Sequence, residues 1–478
     1  MTTNDSSFNS YKKARCDHWN TVARKMDSWR GLSGEYNNRL KKVYRFMVTP
    51  GQRILEIGCG VGNLLSALQP KRGVGIDFSA ETIKQARIAH PELEFIEADG
   101  HNLRILNEVY DVIILSDLID DLWDVQKVFE EISRLCHPKT RIIINSYSRV
   151  WELPLAIASK LGLAKPRLNQ NWLTVEDVTD LLNLSGFEII RSWPEILWPL
   201  WTPGLASLCN KILVKLWPFR LFAMTNFILA RPSPVKSTPP PSVSVIIAAR
   251  NEAGNIAQLF ARTPEMGSGT ELVFVEGHSR DDTYSMIERE IAAHPERKTQ
   301  LHRQTGKGKG DAVRLGFSKA KGDILMILDA DMTVPPEDLP RFYQALHSGR
   351  GEFINGVRLV YPMEDEAMRF FNFLGNKFFS LAFSWLLGQP IKDTLCGTKV
   401  LWKHDYALIA ENRNYFGDFD PFGDYDLIFG AAKLGLKIVD LPIRYRARTY
   451  GETNIQRWRH GWLLLRMVFF AARRIKFT

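Results

Sequence analysis

Short apolar runs, each closed by a glycine or an acid, recur through both halves of the chain. In the first half Arg53–Ile57, Gly73–Ile76, Leu93–Glu97, Val112–Leu115 and Arg141–Ile144 predict buried strands. Helical stretches such as Asn63–Leu68 lie between them, and that alternation predicts a doubly wound α/β sheet. Phe187–Ile190 and Ala223–Ala230 predict two further strands. In the second half Val243–Ala248, Leu272–Val275 and the run from Ile324 to Leu328 have the same character, with helices expected over Val313–Ala320 and Tyr425–Leu434. Between the halves, Arg231 to Pro241 is rich in proline and has no apolar period, which predicts a linker. Domains over 1–230 and 242–478 follow.

The chemistry sits where the predicted strands end, as expected of open α/β sheets. The first strand runs into Glu56-Ile57-Gly58-Cys59-Gly60-Val61-Gly62, a bend whose glycines allow tight turns and close approach of a ligand to the next helix. The second strand ends at Asp77, placed to bind both hydroxyls of a ribose; the third ends at Ala98-Asp99-Gly100 and the fourth at Ser116-Asp117. In this order the motifs resemble those of class I S-adenosylmethionine-dependent methyltransferases, over about Tyr44 to Pro232. The resemblance implies that Glu56, Gly58, Gly60 and Gly62 hold the methionine part of the cofactor and Asp77 its ribose. Asp99 would then meet the adenine amine, with Ser116 and Asp117 bordering the methyl group. A nicotinamide dehydrogenase shares the glycine loop but does not explain Asp99 and Asp117. The Asn-Pro-Pro-Tyr type of motif that serves base amines is absent, so O-methylation is expected. Asp117, Asp120, His101 and Tyr147 are the base candidates, each equally suited to the polar rim of a pocket.

In the second half, acids close successive strands: Glu252 follows Ala249-Arg250-Asn251, Glu276 follows Val275, and Asp329-Ala330-Asp331 follows Ile324–Leu328. Gly306-Lys307-Gly308-Lys309-Gly310 adds mobile backbone and two cations before a helix, a pyrophosphate-binding outline without the Walker spacing of an ATPase. With Asp393-Thr394-Leu395-Cys396-Gly397 and Phe422-Gly423-Asp424-Tyr425-Asp426-Leu427, these motifs resemble family 2 glycosyltransferases of GT-A fold, especially the dolichyl- or polyprenyl-phosphate sugar transferases. The resemblance implies that Arg250, Glu252 and Glu276 meet the nucleoside of a nucleotide-sugar, linked to UDP or GDP. Lys309 and Asp329 would meet its diphosphate, and Asp329 and Asp331 a Mg²⁺ or Mn²⁺ ion. Asp331 and Asp424 are then catalytic, Asp424 as the base for a hydroxyl acceptor. As the first residue of a helix, Asp424 equally suits a cap.

Length and composition narrow the class. A chain of 478 residues exceeds a single core, and 45% hydrophobic with 24% charged residues is ordinary for a folded protein. The polar start, Met1 to Lys13, lacks the apolar centre of a signal peptide, and five scattered cysteines fit neither a metal site nor a disulfide framework. A cytoplasmic protein is expected. The net charge of +9 favours anionic partners, and nucleic acid is disfavoured because no nucleic-acid module accompanies it. Phe370–Leu387 is apolar but interrupted by Asn372, Gly375, Asn376 and Lys377, so a broken, non-spanning helix is expected. Trp458 to Phe470, flanked by Arg457, Arg459, Arg473, Arg474 and Lys476, suits either packing on its own domain or peripheral contact with an anionic membrane. The tryptophan-rich stretch Ser192 to Phe222 suits a hydrophobic lid or domain interface, or a membrane-interface surface. Two enzymes on one chain are therefore expected: a methyltransferase, and an inverting glycosyltransferase acting on a glycan, glycolipid or polyprenyl-phosphate acceptor. The alternative makes the first half a non-catalytic, regulatory S-adenosylmethionine-binding module.

Overall fold

The structure is a computed structural model and describes residues 2–24, 34–161, 166, 168, 170–234, 239–358, 370–415, 424–443, 450 and 457–477. The chain forms two compact units, Met1–Ser233 and Pro234–Lys476, with Phe477 and Thr478 grouped with the first.

The first unit holds a seven-stranded sheet of β1 (Arg53–Ile57), β2 (Arg72–Asp77), β3 (Glu94–Glu97), β4 (Tyr110–Ser116), β5 (Cys136–Tyr147), β6 (Phe187–Glu195) and β7 (Thr225–Pro232). Its order is β3-β2-β1-β4-β5-β7-β6, parallel from β3 to β5, with β7 antiparallel to both neighbours. The apolar runs form strands because both faces are covered: Leu55 and Ile57 pack with Val128, Phe129 and Ile132 on one side. On the other side Ile54 and Ile114 pack with Leu40, Val43 and Tyr44 of a helix over Gly34–Met47. That helix is α2, and α1 is Thr2–Arg24. The strand β7 runs into the expected linker, because Arg231 pairs across to Glu188 on β6. Residues 235–238 of that stretch lie outside the described residues.

The second unit has its own seven-stranded sheet of β8 (Val243–Ala249), β9 (Thr270–Glu276), β10 (Thr299–Arg303), β11 (Ile324–Asp329), β12 (Phe353–Val357), β13 (Lys399–Trp402) and β14 (Ile438–Pro442). The order is β10-β9-β8-β11-β13-β12-β14, with β10 to β11 parallel and β13 antiparallel to both neighbours. Both units are thus mixed α/β. One expectation is corrected: Phe370–Leu387 is a single uninterrupted helix. Asparagine and glycine lower helix propensity without forbidding helix, and packing of Phe383, Leu386 and Leu387 outweighs that cost. No described helix is long and apolar enough to cross a membrane. The last helix, Arg457–Ala471, has Leu464, Met467 and Ala471 buried on one face, and Lys476 beyond it donates to the Trp385 carbonyl. Its apolar stripe therefore packs within its own unit, while Trp462 and Phe469 stay exposed. The side chains of Arg457 and Arg459 lie outside the described residues.

Candidate functional site

In the first unit the loop after β1 turns through Gly58, Gly60 and Gly62 at φ +72°, +52° and +77°, a backbone region in which a side chain would be strained. Beside it opens a cavity lined by Ile57, Gly58, Asp77 and Asp99 on the sheet side. Phe8, Tyr11, Lys12 and Arg15 of α1 line its other side. Their spacing of three and four residues puts them on one helical face, the signal by which the sequence could have revealed them.

Asp77 closes β2, and its carboxylate accepts hydrogen bonds from the Gly60 N–H at 3.1 Å and the Ser79 N–H at 2.9 Å. Burial outweighs those bonds and pushes its pKa up to about 6. Asp99 accepts from the His101 N–H (3.0 Å), the His101 ring (2.7 Å) and Lys12 Nζ (2.9 Å). Burial pulls its pKa up, but hydrogen bonds from His101 and Lys12 win and hold it well below the usual carboxylate range. Asp99 is therefore already paired with Lys12 from α1.

The expected methyl end is organised differently from its neighbours. Asp117 has φ +52°, and its carboxylate accepts from the Tyr36 hydroxyl at 2.7 and 2.9 Å and from Asn145 Nδ2 at 2.6 Å. The Tyr36 ring, on α2, stacks on Tyr147 with centroids 6.0 Å apart. Burial, then the Asp117 charge, pushes the Tyr36 hydroxyl well above its ordinary pKa. Asp120 accepts from the Tyr147 N–H at 3.2 Å. His101 bridges, since its Nε2 accepts from the Asp124 N–H at 3.2 Å, which places its proton on Nδ1 toward Asp99. Every base candidate read from the sequence is thus tied into a hydrogen bond or ring stack. Tyr36 and Asn145 were missed, because nothing in their local sequence points to Asp117.

Glu56, Gly60, Gly62, Ser116 and Asp117 are not among the residues lining the cavity. Glu56 lies beneath the glycine loop, 3% exposed, where it accepts from the Leu65 N–H. Burial raises its pKa to about 8, which favours the neutral acid at pH 7. Because the folded pKa is raised, its stabilising contribution is full below the unfolded value and is lost as pH rises toward 8. Glu56→Gln keeps the acceptor and removes the charge. It is expected to stabilise the first unit by about 1–3 kcal/mol at pH 8 and much less at pH 5, read by urea unfolding. Equal effects at the two pH values would contradict a neutral Glu56.

In the second unit β9, β8 and β11 lie side by side, with Ala249 opposite Glu276 and Ala248 opposite Asp329. Three strands therefore end together, and the loops leaving them are knitted to one another. Asn251, at φ +56°, donates from its N–H to Ser279 Oγ at 3.0 Å and accepts from the Arg280 N–H at 2.8 Å. The N–H of Glu252 donates to Thr283 Oγ1 at 2.9 Å, and its carboxylate accepts from Asn255 at 2.8 Å. Glu276 accepts from the Ser279 N–H at 2.5 Å. Arg250 is exposed at the start of the first loop.

Lys309 opens the helix Lys309–Lys319 and donates to Asp329 at 2.5 Å. Burial works against the Asp329 charge, but Lys309, then Lys399 and Arg358, keep its pKa below the ordinary value. Asp331 accepts from the Thr333 N–H at 3.1 Å and its hydroxyl at 2.7 Å. Gly397 lies against the Asp329–Lys309 pair so closely that any Cβ there would collide with both. Before it, Asp393 is buried in an ion pair with Arg358 at 2.7 Å. Residues 422 and 423 lie outside the described residues, as does the side chain of Asp424, which opens the helix Asp424–Lys433. Among the described residues no three His, Cys, Asp or Glu side chains form a metal cage. Asp329 and Asp331 nevertheless fit a hard cation that keeps waters and shares a substrate diphosphate, since such an ion needs only one or two carboxylates.

A family model described as "Methyltransferase domain" matches residues 49–186, and one described as "Glycosyl transferase family 2" matches residues 244–396. The chain joins a methyltransferase domain to a family 2 glycosyltransferase domain. A dolichol-phosphate mannosyltransferase of Pyrococcus furiosus is 28% identical over 220 residues, covering 45% of this chain and 59% of the relative. The dolichol-phosphate mannosyltransferase of Saccharomyces cerevisiae is 38% identical over 110 residues, 22% of this chain and 40% of that one. An undecaprenyl-phosphate 4-deoxy-4-formamido-L-arabinose transferase of Klebsiella pneumoniae is 23% identical over 222 residues, 45% of this chain and 63% of that one. The chain thus spans less than two thirds of the length of these three relatives. Magnesium protoporphyrin IX methyltransferase of Synechocystis, solved with S-adenosylhomocysteine, aligns at TM-score 0.34 and 19% identity over 47% of this chain and 100% of its own. Glucosyl-3-phosphoglycerate synthase of Mycobacterium tuberculosis, solved with Mn²⁺ and UDP, aligns at TM-score 0.36 and 19% identity over 49% of this chain and 80% of its own.

Proposed function

We propose that the chain is a bifunctional enzyme. Its glycosyltransferase domain transfers a sugar, with inversion, from a nucleotide-sugar to a polyprenyl phosphate, and its methyltransferase domain moves a methyl group from S-adenosylmethionine to an oxygen. One observation carries the first activity: β8, β9 and β11 end side by side, with Lys309 and Gly397 gathered on Asp329.

The chemistry follows from charge. Breaking the sugar–phosphate bond leaves a nucleoside diphosphate, and groups aimed at that growing charge lower the barrier most. Lys309 stands at a helix start and can turn from Asp329 to the diphosphate. A divalent cation at Asp329 and Asp331 would neutralise further charge there. A phosphate acceptor is already ionised, so its attack needs no base; Asp424 would serve only a hydroxyl acceptor. The relatives named for dolichol phosphate and undecaprenyl phosphate support the phosphate. Phe378, Leu381, Trp462 and Phe469, exposed on two helices of this domain, suit an acceptor carried on the cytoplasmic face of a membrane. Gly397→Ala, which pushes on the Asp329–Lys309 pair, is expected to cut sugar transfer at least tenfold with the unfolding midpoint nearly unchanged. Transfer at the wild-type rate would remove that pair from the site.

For the first domain, the cavity between α1 and the sheet supports cofactor binding. The engagement of Asp117 with Tyr36 and Asn145 favours a second reading, a non-catalytic binding module. Incubation with methyl-labelled S-adenosylmethionine and a glycolipid extract decides: label in the extract supports an enzyme. Cofactor bound without transfer supports the module.

A further inference from the structure

The methyltransferase domain carries an apolar surface that its chemistry does not use. The helix Glu152–Lys160 buries Leu155, yet Val150, Leu153, Ile157 and Leu161, spaced by three and four residues, line its outer face and are exposed. The helix Leu205–Lys211 repeats the pattern: Ala206 and Cys209 are buried, while Leu205, Leu208 and the following Ile212 face outward. Trp217 is 77% exposed and Trp201 68%, and Leu221 and Phe222, shortly after Trp217, are exposed as well. The two segments meet where the Trp151 indole donates to the Phe222 carbonyl at 2.9 Å. A helix apolar on both faces belongs in a core or at a lipid boundary, and exposed apolar surface of this extent marks a contact site.

Charge selects the occupant. Arg149, Lys160, Lys211 and Arg220 are exposed within these segments, against one acid, Glu152. Next to them an open cleft is lined by Trp201, Lys42 and Lys211, with Glu35 its one acid and with Arg39, which is buried and paired with Glu195 at 3.1 Å. A second copy of the chain, meeting this face by two-fold symmetry, would set these cations against themselves. An anionic bilayer neutralises them, accepts the aliphatic side chains, and takes indole rings at headgroup depth.

We propose that this face docks the methyltransferase domain onto an anionic phospholipid surface, with headgroup phosphate at Lys42 and Lys211. The proposal stands apart from the sugar-transfer reading, because vesicles free of polyprenyl phosphate test it. The full chain is sedimented with vesicles of phosphatidylcholine and phosphatidylglycerol, and with phosphatidylcholine alone. Wild type is expected to bind the mixed vesicles at least tenfold more tightly, with binding weakened by salt. The double variant Ile157→Glu, Trp217→Glu is expected to lose at least tenfold of that binding, with S-adenosylmethionine affinity and unfolding midpoint unchanged. Lys160→Glu, Lys211→Glu tests the charge separately and is expected to remove the preference for anionic lipid. Wild-type binding in both double variants would overturn the proposal. So would a wild-type dimer, seen by sedimentation velocity, that Ile157→Glu, Trp217→Glu dissolves.

Discussion

Replacing Asp331 by Asn is expected to lower sugar transfer by about 10²–10³-fold while S-adenosylmethionine affinity stays unchanged. Asp331 accepts two hydrogen bonds from Thr333 through one oxygen, and the amide oxygen of Asn can keep them. The turn should therefore survive, and the loss isolates the charge. Asp329→Asn should cost as much and should also release Lys309, now held at 2.5 Å. The two acids differ in one respect that an assay can read. In Asp329→Asn the lysine is no longer paired before the donor arrives, so the nucleotide-sugar KM should change less than kcat. Normal transfer by Asp331→Asn would remove that acid from the reaction.

Asp77→Ala should weaken S-adenosylmethionine binding by about tenfold to a hundredfold, the scale of a charged group losing its hydrogen bonds to a ligand. The same residue predicts a pH dependence. Its pKa is raised to about 6, and on the proposed cofactor reading only the carboxylate would accept bonds from both ribose hydroxyls. Affinity should be full at pH 8 and fall as the pH drops through 6, a trend that Asp77→Asn should flatten. Calorimetry across that range reads both. Undiminished affinity in Asp77→Ala would take the residue out of the cofactor site.

Much of this fold was legible in the chain because parallel strands covered on both faces are written as short, unbroken apolar runs. Ile324 to Leu328 and Val243 to Ala248 could hardly pack otherwise, and the acids that follow them mark where they stop. What pattern alone missed lies far apart in sequence. Lys12 reaches Asp99 and Tyr36 reaches Asp117 from helices whose own residues are largely polar. The uninterrupted helix Phe370–Leu387 shows tertiary burial overriding local propensity. The outward apolar stripe at Val150 to Leu161 escaped notice because apolar spacing does not say which face is covered. Glu56 shows the converse limit: a motif marks an acid at the end of β1 without showing that its side chain is buried under the loop.

The most direct test of the account is transfer of labelled sugar from UDP- and GDP-sugars to a polyprenyl phosphate, with Mn²⁺ and with a chelator. The account predicts labelled lipid from one nucleotide series in the wild-type chain, at least a hundredfold less with the chelator or with Asp331→Asn, and no response to S-adenosylmethionine removal. Wild-type yields in Asp331→Asn and under chelation would contradict it.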